Sequence, residues 1–203
     1  MKRVIAYIDG FNLYYGLRQK GWRWYYWLNV QTLAERLLKP GQVLAATKYF
    51  TSVLLDPPER RDPQVTHLDA LQTLEDTQIF LGHFLSDTQV CNDCGHSHPT
   101  YHEKMTDVNI ATEMMTDAFQ DRFDVALLIT GDGDLAGTVS SIRRLFPKKS
   151  VVVAFPPQRV SETLKRTASE YTNIKLDSLR ESALPDRIIK RDGLALQRPI
   201  SWR

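Results

Sequence analysis

Two short acidic stretches hold the residues of this sequence best suited to chemistry. The first is Ile8-Asp9-Gly10-Phe11-Asn12 and the second is Ile129-Thr130-Gly131-Asp132-Gly133-Asp134. Each follows a run of apolar residues that reads as a buried strand, 4–8 in one case and 125–129 in the other. Asp107, at the start of a predicted helix, is a third acidic candidate. Carboxylates that converge in space repel one another unless a cation neutralises them. An oxygen-only ligand set suits a hard cation such as magnesium or manganese. Such an ion can polarise a phosphodiester, activate water and stabilise the leaving oxygen. Taken singly, each aspartate reads as well as a turn or a helix cap, Asp9-Gly10 as the turn and Asp134 as the cap. The joint pattern favours a site: two acidic loops follow two strongly hydrophobic strands, with glycines that permit close backbone approach.

These residues meet only if the chain folds so that strands 1 and 4 are neighbours. In parallel α/β sheets, ligands bind beyond the carboxyl ends of the strands, where the strand order reverses. Short apolar runs alternate here with helical periodicities, which predicts βαβ units and a mainly parallel sheet. Strands are expected at 4–8, 43–55, 79–85, 125–129 and 150–155, with a short one at 171–176. Helices are expected at 12–19, 30–38, 64–74, 106–119, 134–145 and 161–170. Residues 86–103 have no clear period and read as an insertion loop. In the tail, Arg191-Asp192-Gly193 between two apolar runs is a hairpin signal. The expected division is a domain over 1–177 and a small C-terminal appendage over 178–203.

The insertion carries Cys91-Asn92-Asp93-Cys94-Gly95-His96-Ser97-His98, followed by His102. Two thiols in a tight turn with imidazoles nearby suit a structural zinc ion held by Cys91, Cys94, His98 and His102. A reduced thiol pair beside exposed histidines is the plainer alternative. Gly21-Trp22-Arg23-Trp24-Tyr25-Tyr26-Trp27 interleaves rings with arginine, a composition that can stack on unpaired bases. The plainer alternative puts alternate rings, such as Trp24 and Trp27, in the core; core packing is expected for Trp27-Leu28, leaving Trp22 and Arg23 for RNA. Arg143 and Arg144 form a second candidate basic patch, and the arginines of the tail, Arg198 among them, a third.

Three motifs in order carry a family resemblance: Tyr7-Ile8-Asp9-Gly10-Phe11-Asn12, then the stretch from Glu103 to Ala111 with Lys104 and Asp107, then Leu128-Ile129-Thr130-Gly131-Asp132-Gly133-Asp134-Leu135. Together with Val151-Val152-Val153-Ala154-Phe155-Pro156-Pro157 they resemble the NYN domain of the PIN-like nuclease superfamily, more narrowly its bacterial LabA-like branch. The resemblance implies an α/β, PIN-like Rossmannoid three-layer sandwich and metal-dependent RNA cleavage. By motif position, Asp9, Asp107, Asp132 and Asp134 match the family's acidic metal-binding positions, with Asn12 and Thr130 beside them. The first three aspartates would hold magnesium or manganese, and Asp134 would act through water. Asn12 and Thr130 would contact water or a phosphate oxygen. Lys104, three residues before Asp107, would share its helix face and clamp the phosphate.

Length and composition set outer bounds. The chain has 203 residues, 42% of them hydrophobic, enough for one sizeable core. Its formal net charge of +2 neither demands nor excludes a nucleic-acid partner. Two cysteines are too few for a secreted disulfide scaffold. The apolar run before Asp9 is too short for a signal peptide. The expectation is a cytoplasmic ribonuclease acting on single-stranded RNA, with no membrane and a second copy of the chain as a further partner. Two alternatives stay open: a non-catalytic regulator that binds RNA or protein on the same fold, and a metal-dependent phosphatase.

Overall fold

The computed structural model describes the backbone of residues 1–90, 94–95 and 97–203, and their side chains except those of 85–90 and 98–102. In chain order the elements are β1 (Lys2–Asp9), α1 (Gly10–Gln19), α2 (Val30–Arg36), β2 (Gln42–Thr51), α3 (Pro58–Leu71), β3 (Thr77–Leu81), β4 (His83–Val90), β5 (Ser97–Lys104) and α4 (Thr106–Phe119). They continue with β6 (Val125–Ile129), α5 (Ala136–Leu145), β7 (Ser150–Phe155), α6 (Glu162–Thr167), β8 (Glu170–Asn173), α7 (Leu176–Arg180), β9 (Arg187–Ile189) and β10 (Ala195–Gln197).

Six strands form the central sheet in the order β3-β2-β1-β6-β7-β8, and every pairing in it is parallel. The chain builds outward from β1 through β2 to β3, then crosses back to place β6 on the other side of β1. The order therefore reverses between β1 and β6, and a crevice opens at their carboxyl ends. β1 and β6 occupy the middle because helices cover both their faces, and their sequences are accordingly near-continuous apolar runs.

Alternation along β1 divides the core. Val4, Ala6 and Ile8 join one cluster with Leu13 and Leu17 of α1, Leu33 of α2 and Leu68 of α3. Ile5 and Tyr7 join the other with Ile110 and Met114 of α4, Val139 of α5 and Leu164 of α6. This is a three-layer α/β sandwich of the PIN-like Rossmannoid kind. Among the described residues no helix is long and apolar enough to cross a membrane.

Several elements differ from the expectation. The third strand divides at Gly82 into β3, which stays in the main sheet, and β4, which leaves it. Residues 86–90 and 97–103, expected in an irregular loop, are strand: β4 and β5 pair antiparallel from His83↔Lys104 to Val90↔Ser97. Their polar sequence hid them, because a two-stranded ribbon outside the core needs little apolar alternation. The third helix begins at Pro58, not at 64, because proline suits the first helical turn, where no amide partner is required.

The tail forms the expected hairpin, β9 against β10. It packs on the first core cluster through Leu184, Leu196 and Trp202, and the Trp27 indole donates to the Pro185 carbonyl at 2.8 Å.

Candidate functional site

Asp9 is the last residue of β1 and the N-cap of α1, accepting from the Asn12 amide at 3.0 Å. Its other carboxylate oxygen accepts from the Thr130 hydroxyl at 2.9 Å. That hydroxyl also accepts from the Asp132 amide at 3.0 Å, and Asn12 Oδ1 accepts from the Gly131 amide at 2.8 Å. Three side chains, those of Asp9, Asn12 and Thr130, thus lace the β1–α1 turn to the loop after β6. Thr130 is fully buried and its hydroxyl bonds within the protein, where the sequence suggested contact with water or a phosphate oxygen. It holds Asp9 and Asp132 in place. The oxygen of Asn12 is likewise used inside the protein.

Asp132 caps the following turn by accepting from the Asp134 amide at 3.0 Å. Asp107 enters from α4, whose first turn follows Met105 in the left-handed region at φ 78°. Lys104 is not on that helix. It ends β5, and Met105 reverses the chain between it and Asp107, so the helix-face argument for pairing them fails. Both nevertheless line one cleft of about 410 Å³ with Asp9, Asn12 and Asp132. Asp134 is exposed beside the cleft.

The cleft contains groups that the sequence reading did not single out. Glu103 lies beside Lys104 at the end of β5 and accepts from the hydroxyls of Ser52, at 3.2 Å, and Thr106. Arg159 comes from the segment after β7, and its guanidinium sits 5.8 Å from the Tyr15 ring centroid. It makes no ion pair with any described carboxylate, and its buried Nε has no hydrogen-bond partner among the described residues. Gly131 allows this approach, because a Cβ there would lie 2.6 Å from the Arg159 backbone. An acidic motif near a strand end could have flagged Glu103. No local signal marks Arg159.

The electrostatics are those of crowded, partly dry carboxylates. Burial pushes the Asp9 carboxyl up to about 7, against the two hydrogen bonds that favour its charged form, and Asp107 and Glu103 add smaller upward pushes. Asp107 is raised by burial and then by Asp132 and Asp134. Glu103 is raised by burial, against its bonds to Thr106 and Ser52. Among the described residues no three His, Cys, Asp or Glu side chains stand close enough together to enclose an ion. The donor chemistry still fits a hard divalent cation: Asp9, Asp107 and Asp132 are oxygen donors lining the same cleft, and a cation would relieve the repulsion that raises Asp107.

The other candidates are dispersed. The zinc reading falls partly on Cys91, which lies outside the described residues. Cys94 is exposed with a free thiol. The His-x-x-x-His spacing runs along extended β5, where His98 and His102 stand roughly 13 Å apart along the backbone, unlike helical zinc ligands. Trp22 packs against the core and Arg23 is exposed. Trp27 is buried as expected, but Trp24 is 51% exposed and stacks on the Arg198 guanidinium at 3.7 Å. Arg198 is itself buried against Asp186 and is not free for RNA. α5 runs away from the cleft, so Arg143 and Arg144 lie near the opposite edge of the sheet, where Arg143 donates to the Thr167 carbonyl at 2.6 Å.

Comparison with known proteins agrees with this architecture. A crystal structure of a protein of unknown function, VPA0982 from Vibrio parahaemolyticus, matches with a TM-score of 0.57 at 20% identity, over 87% of this chain and 94% of that one. A curated relative, 6-hydroxy-3-succinoylpyridine 3-monooxygenase HspA of Pseudomonas putida, is 28% identical over 70% of this chain, and the match spans 55% of HspA's own length. The NYN domain model matches residues 3–177, which takes in β1, β6 and every residue of the acidic cleft. The chain belongs to the NYN domain family of PIN-like, nuclease-type proteins.

Proposed function

We propose that this protein is a metal-dependent ribonuclease that hydrolyses phosphodiester linkages of single-stranded RNA. One observation carries the reading. At the switch point of a parallel sheet, Asp9 and the Thr130–Asp132 loop are hydrogen-bonded to each other and share a solvent-open cleft with Asp107. Asp9, Asp107 and Asp132 would hold magnesium or manganese. When bound, such an ion supplies Lewis acidity at the phosphodiester and a more acidic water.

The chain's own residues do the rest. Thr130 and Asn12 fix the two acidic loops in register. Glu103 and the exposed Asp134 would accept a proton from water or orient it. Lys104 and Arg159 line the same cleft and would meet the phosphate, whose oxygens a planar guanidinium can grip in pairs.

HspA is, by its name, a monooxygenase of a pyridine derivative. The strand order here is also that of dinucleotide-binding sheets, but their first turn takes pyrophosphate with a glycine-rich loop. In this chain that turn presents Asp9, whose carboxylate would repel a pyrophosphate, so the hydrolytic reading is preferred.

The test is cleavage of a labelled single-stranded RNA as magnesium or manganese is titrated, alongside a panel of phosphomonoesters. Metal-dependent RNA cleavage that falls at least about a hundredfold in Asp132→Asn is expected, as for loss of one group that acts in the transition state. Undiminished cleavage by that variant sinks the assignment. Hydrolysis of phosphomonoesters alone would favour a phosphatase, and RNA binding without turnover would favour a regulator.

A further inference from the structure

A second cavity opens on the α1 side of the sheet, next to the acidic cleft. Its volume is about 440 Å³, within the range that encloses small ligands. Six aromatic side chains line it: Phe11, Tyr14, Tyr25, Tyr26, Tyr49 and Trp202. Tyr14 and Tyr26 lie 4.8 Å apart between ring centroids, and Trp202 stands perpendicular to Tyr26 at 5.6 Å. Fixed rings of this kind offer a stacking surface to any planar group.

Two deeply buried polar side chains line the same space. Tyr49 is 8% exposed, and among the described residues its hydroxyl has no hydrogen-bond partner. That ring fits beneath the first turn of α1 only because residue 10 is glycine: a Cβ there would lie 2.5 Å from the hydroxyl oxygen. His67 is 7% exposed and contacts the Leu28 carbonyl through Nε2 at 2.9 Å. A carbonyl only accepts, so Nε2 carries the proton and Nδ1 is left as a bare acceptor. Burial pushes His67 down to about 4, which keeps the ring neutral. Gln64 is committed elsewhere, to the Leu54 amide and the Ser52 carbonyl. A hydroxyl and an imidazole acceptor are therefore available to read the polar edge of a ring.

The third observation is charge. Arg18, Arg23 and Arg60 line the cavity, and none pairs with a described carboxylate, while Glu59 is the lining acid. The balance is cationic, opposite to the neighbouring cleft. Phe11 lines both spaces and follows Asp9 by two residues. A ligand that stacks, presents a polar ring edge and carries an anion matches a nucleotide.

We propose that this cavity binds one nucleotide of the RNA strand beside the linkage to be cut, with its base between the aromatic walls and its phosphate on the arginines. The placement along a strand rests on the ribonuclease reading. The nucleotide chemistry does not. A free ribonucleoside monophosphate presents the same groups, so the experiment separates the two sources.

The experiment measures binding without turnover. The full chain is titrated calorimetrically, in EDTA, with each ribonucleoside 5′-monophosphate, with a short single-stranded oligoribonucleotide, and with nicotinate as a planar acid that lacks a nucleobase. Saturable binding of nucleotide is expected, weakened about tenfold or more in an Arg18→Gln, Arg60→Gln double variant, as for loss of charge-assisted hydrogen bonds. Tyr49→Phe should weaken it severalfold, and circular dichroism checks that both variants keep the fold. An oligonucleotide that binds more tightly than any monophosphate places the site on a strand, and equal affinities assign it to free nucleotide. Absence of saturable binding, nicotinate binding as well as nucleotide, or variants indistinguishable from wild type would overturn the proposal. Intact binding by a wild type that never cleaves RNA would remove the ribonuclease reading and leave the pocket standing.

Discussion

Proton and metal compete directly at Asp9, and the competition is measurable. Burial holds this carboxyl near a pKa of about 7 when no cation faces it. At pH 6 only about a tenth of such a group is ionised, so apparent manganese affinity should be about tenfold weaker there than on a plateau above pH 8, with up to one proton released on binding. An ordinary aspartate would be ionised throughout this range and would give a flat profile. Thr130→Val removes the hydroxyl that donates to Asp9. A hydrogen bond to a charged group contributes about 1.5–3 kcal/mol, so the Asp9 pKa should rise by roughly one to two units and the profile should move with it. The stability sign is opposite to that of a salt-bridged carboxylate. A raised carboxyl stabilises the metal-free fold fully below about pH 4, and that contribution is lost as pH rises through about 7. Added metal should therefore raise the melting temperature more at pH 8 than at pH 6. The assay is calorimetric titration of manganese at both pH values, in two buffers of different ionisation enthalpy. Equal affinities at the two pH values, with no proton release in either buffer, would refute the reasoning.

Two further outcomes test parts of the fold that hold this arrangement. His67 titrates near 4 in the fold and near 6.5 when unfolded; its contribution is present above pH 6.5 and lost as pH falls towards 4, up to about 3 kcal/mol. Urea unfolding between pH 7.5 and 4 should show this loss relative to His67→Gln, and parallel curves would count against it. Lys48, 3% exposed, pairs with fully buried Asp117 at 2.6 Å and with Glu113 at 2.7 Å, tying β2 to α4. Lys48→Met should cost about 3–5 kcal/mol by stranding Asp117, and a loss below about 1 kcal/mol in urea unfolding would show that Tyr7 and Arg122 suffice to neutralise it.

The local parts of the site were legible because their signals are local. Apolar runs ending in Asp9 and in Thr130-Gly131-Asp132 mark strand ends, and a parallel sheet presents strand ends on one edge. What sequence could not supply was the partner of each group. Thr130 and Asn12 read as substrate contacts, because a hydroxyl or an amide beside carboxylates looks the same whether it bonds water or a loop across the sheet. Only the β1–β6 pairing, with Ile8 opposite Ile129, brings Asp9 and Thr130 within hydrogen-bond reach across a gap of 121 residues. Lys104 was misread for a related reason. A three-residue spacing implies a shared face only on a helix, and Met105 reverses the chain inside that interval.

Arg159 and Tyr49 are the harder cases, since each reaches its site from a different strand and neither sits in a motif. Their signal lies in what they leave open among the described residues: a buried guanidinium nitrogen without an acceptor, and a tyrosine hydroxyl at a cavity wall without a protein partner. Buried polar groups are nearly always satisfied. Arg159 Nε is an exception, and with the Tyr49 hydroxyl on the adjoining space that shares Phe11 it points to one extended ligand with a phosphate over the carboxylates and a planar ring beneath α1. That inference joins the acidic cleft and the aromatic cavity into a single path, and it requires Phe11 at their junction to touch the middle of whatever is bound.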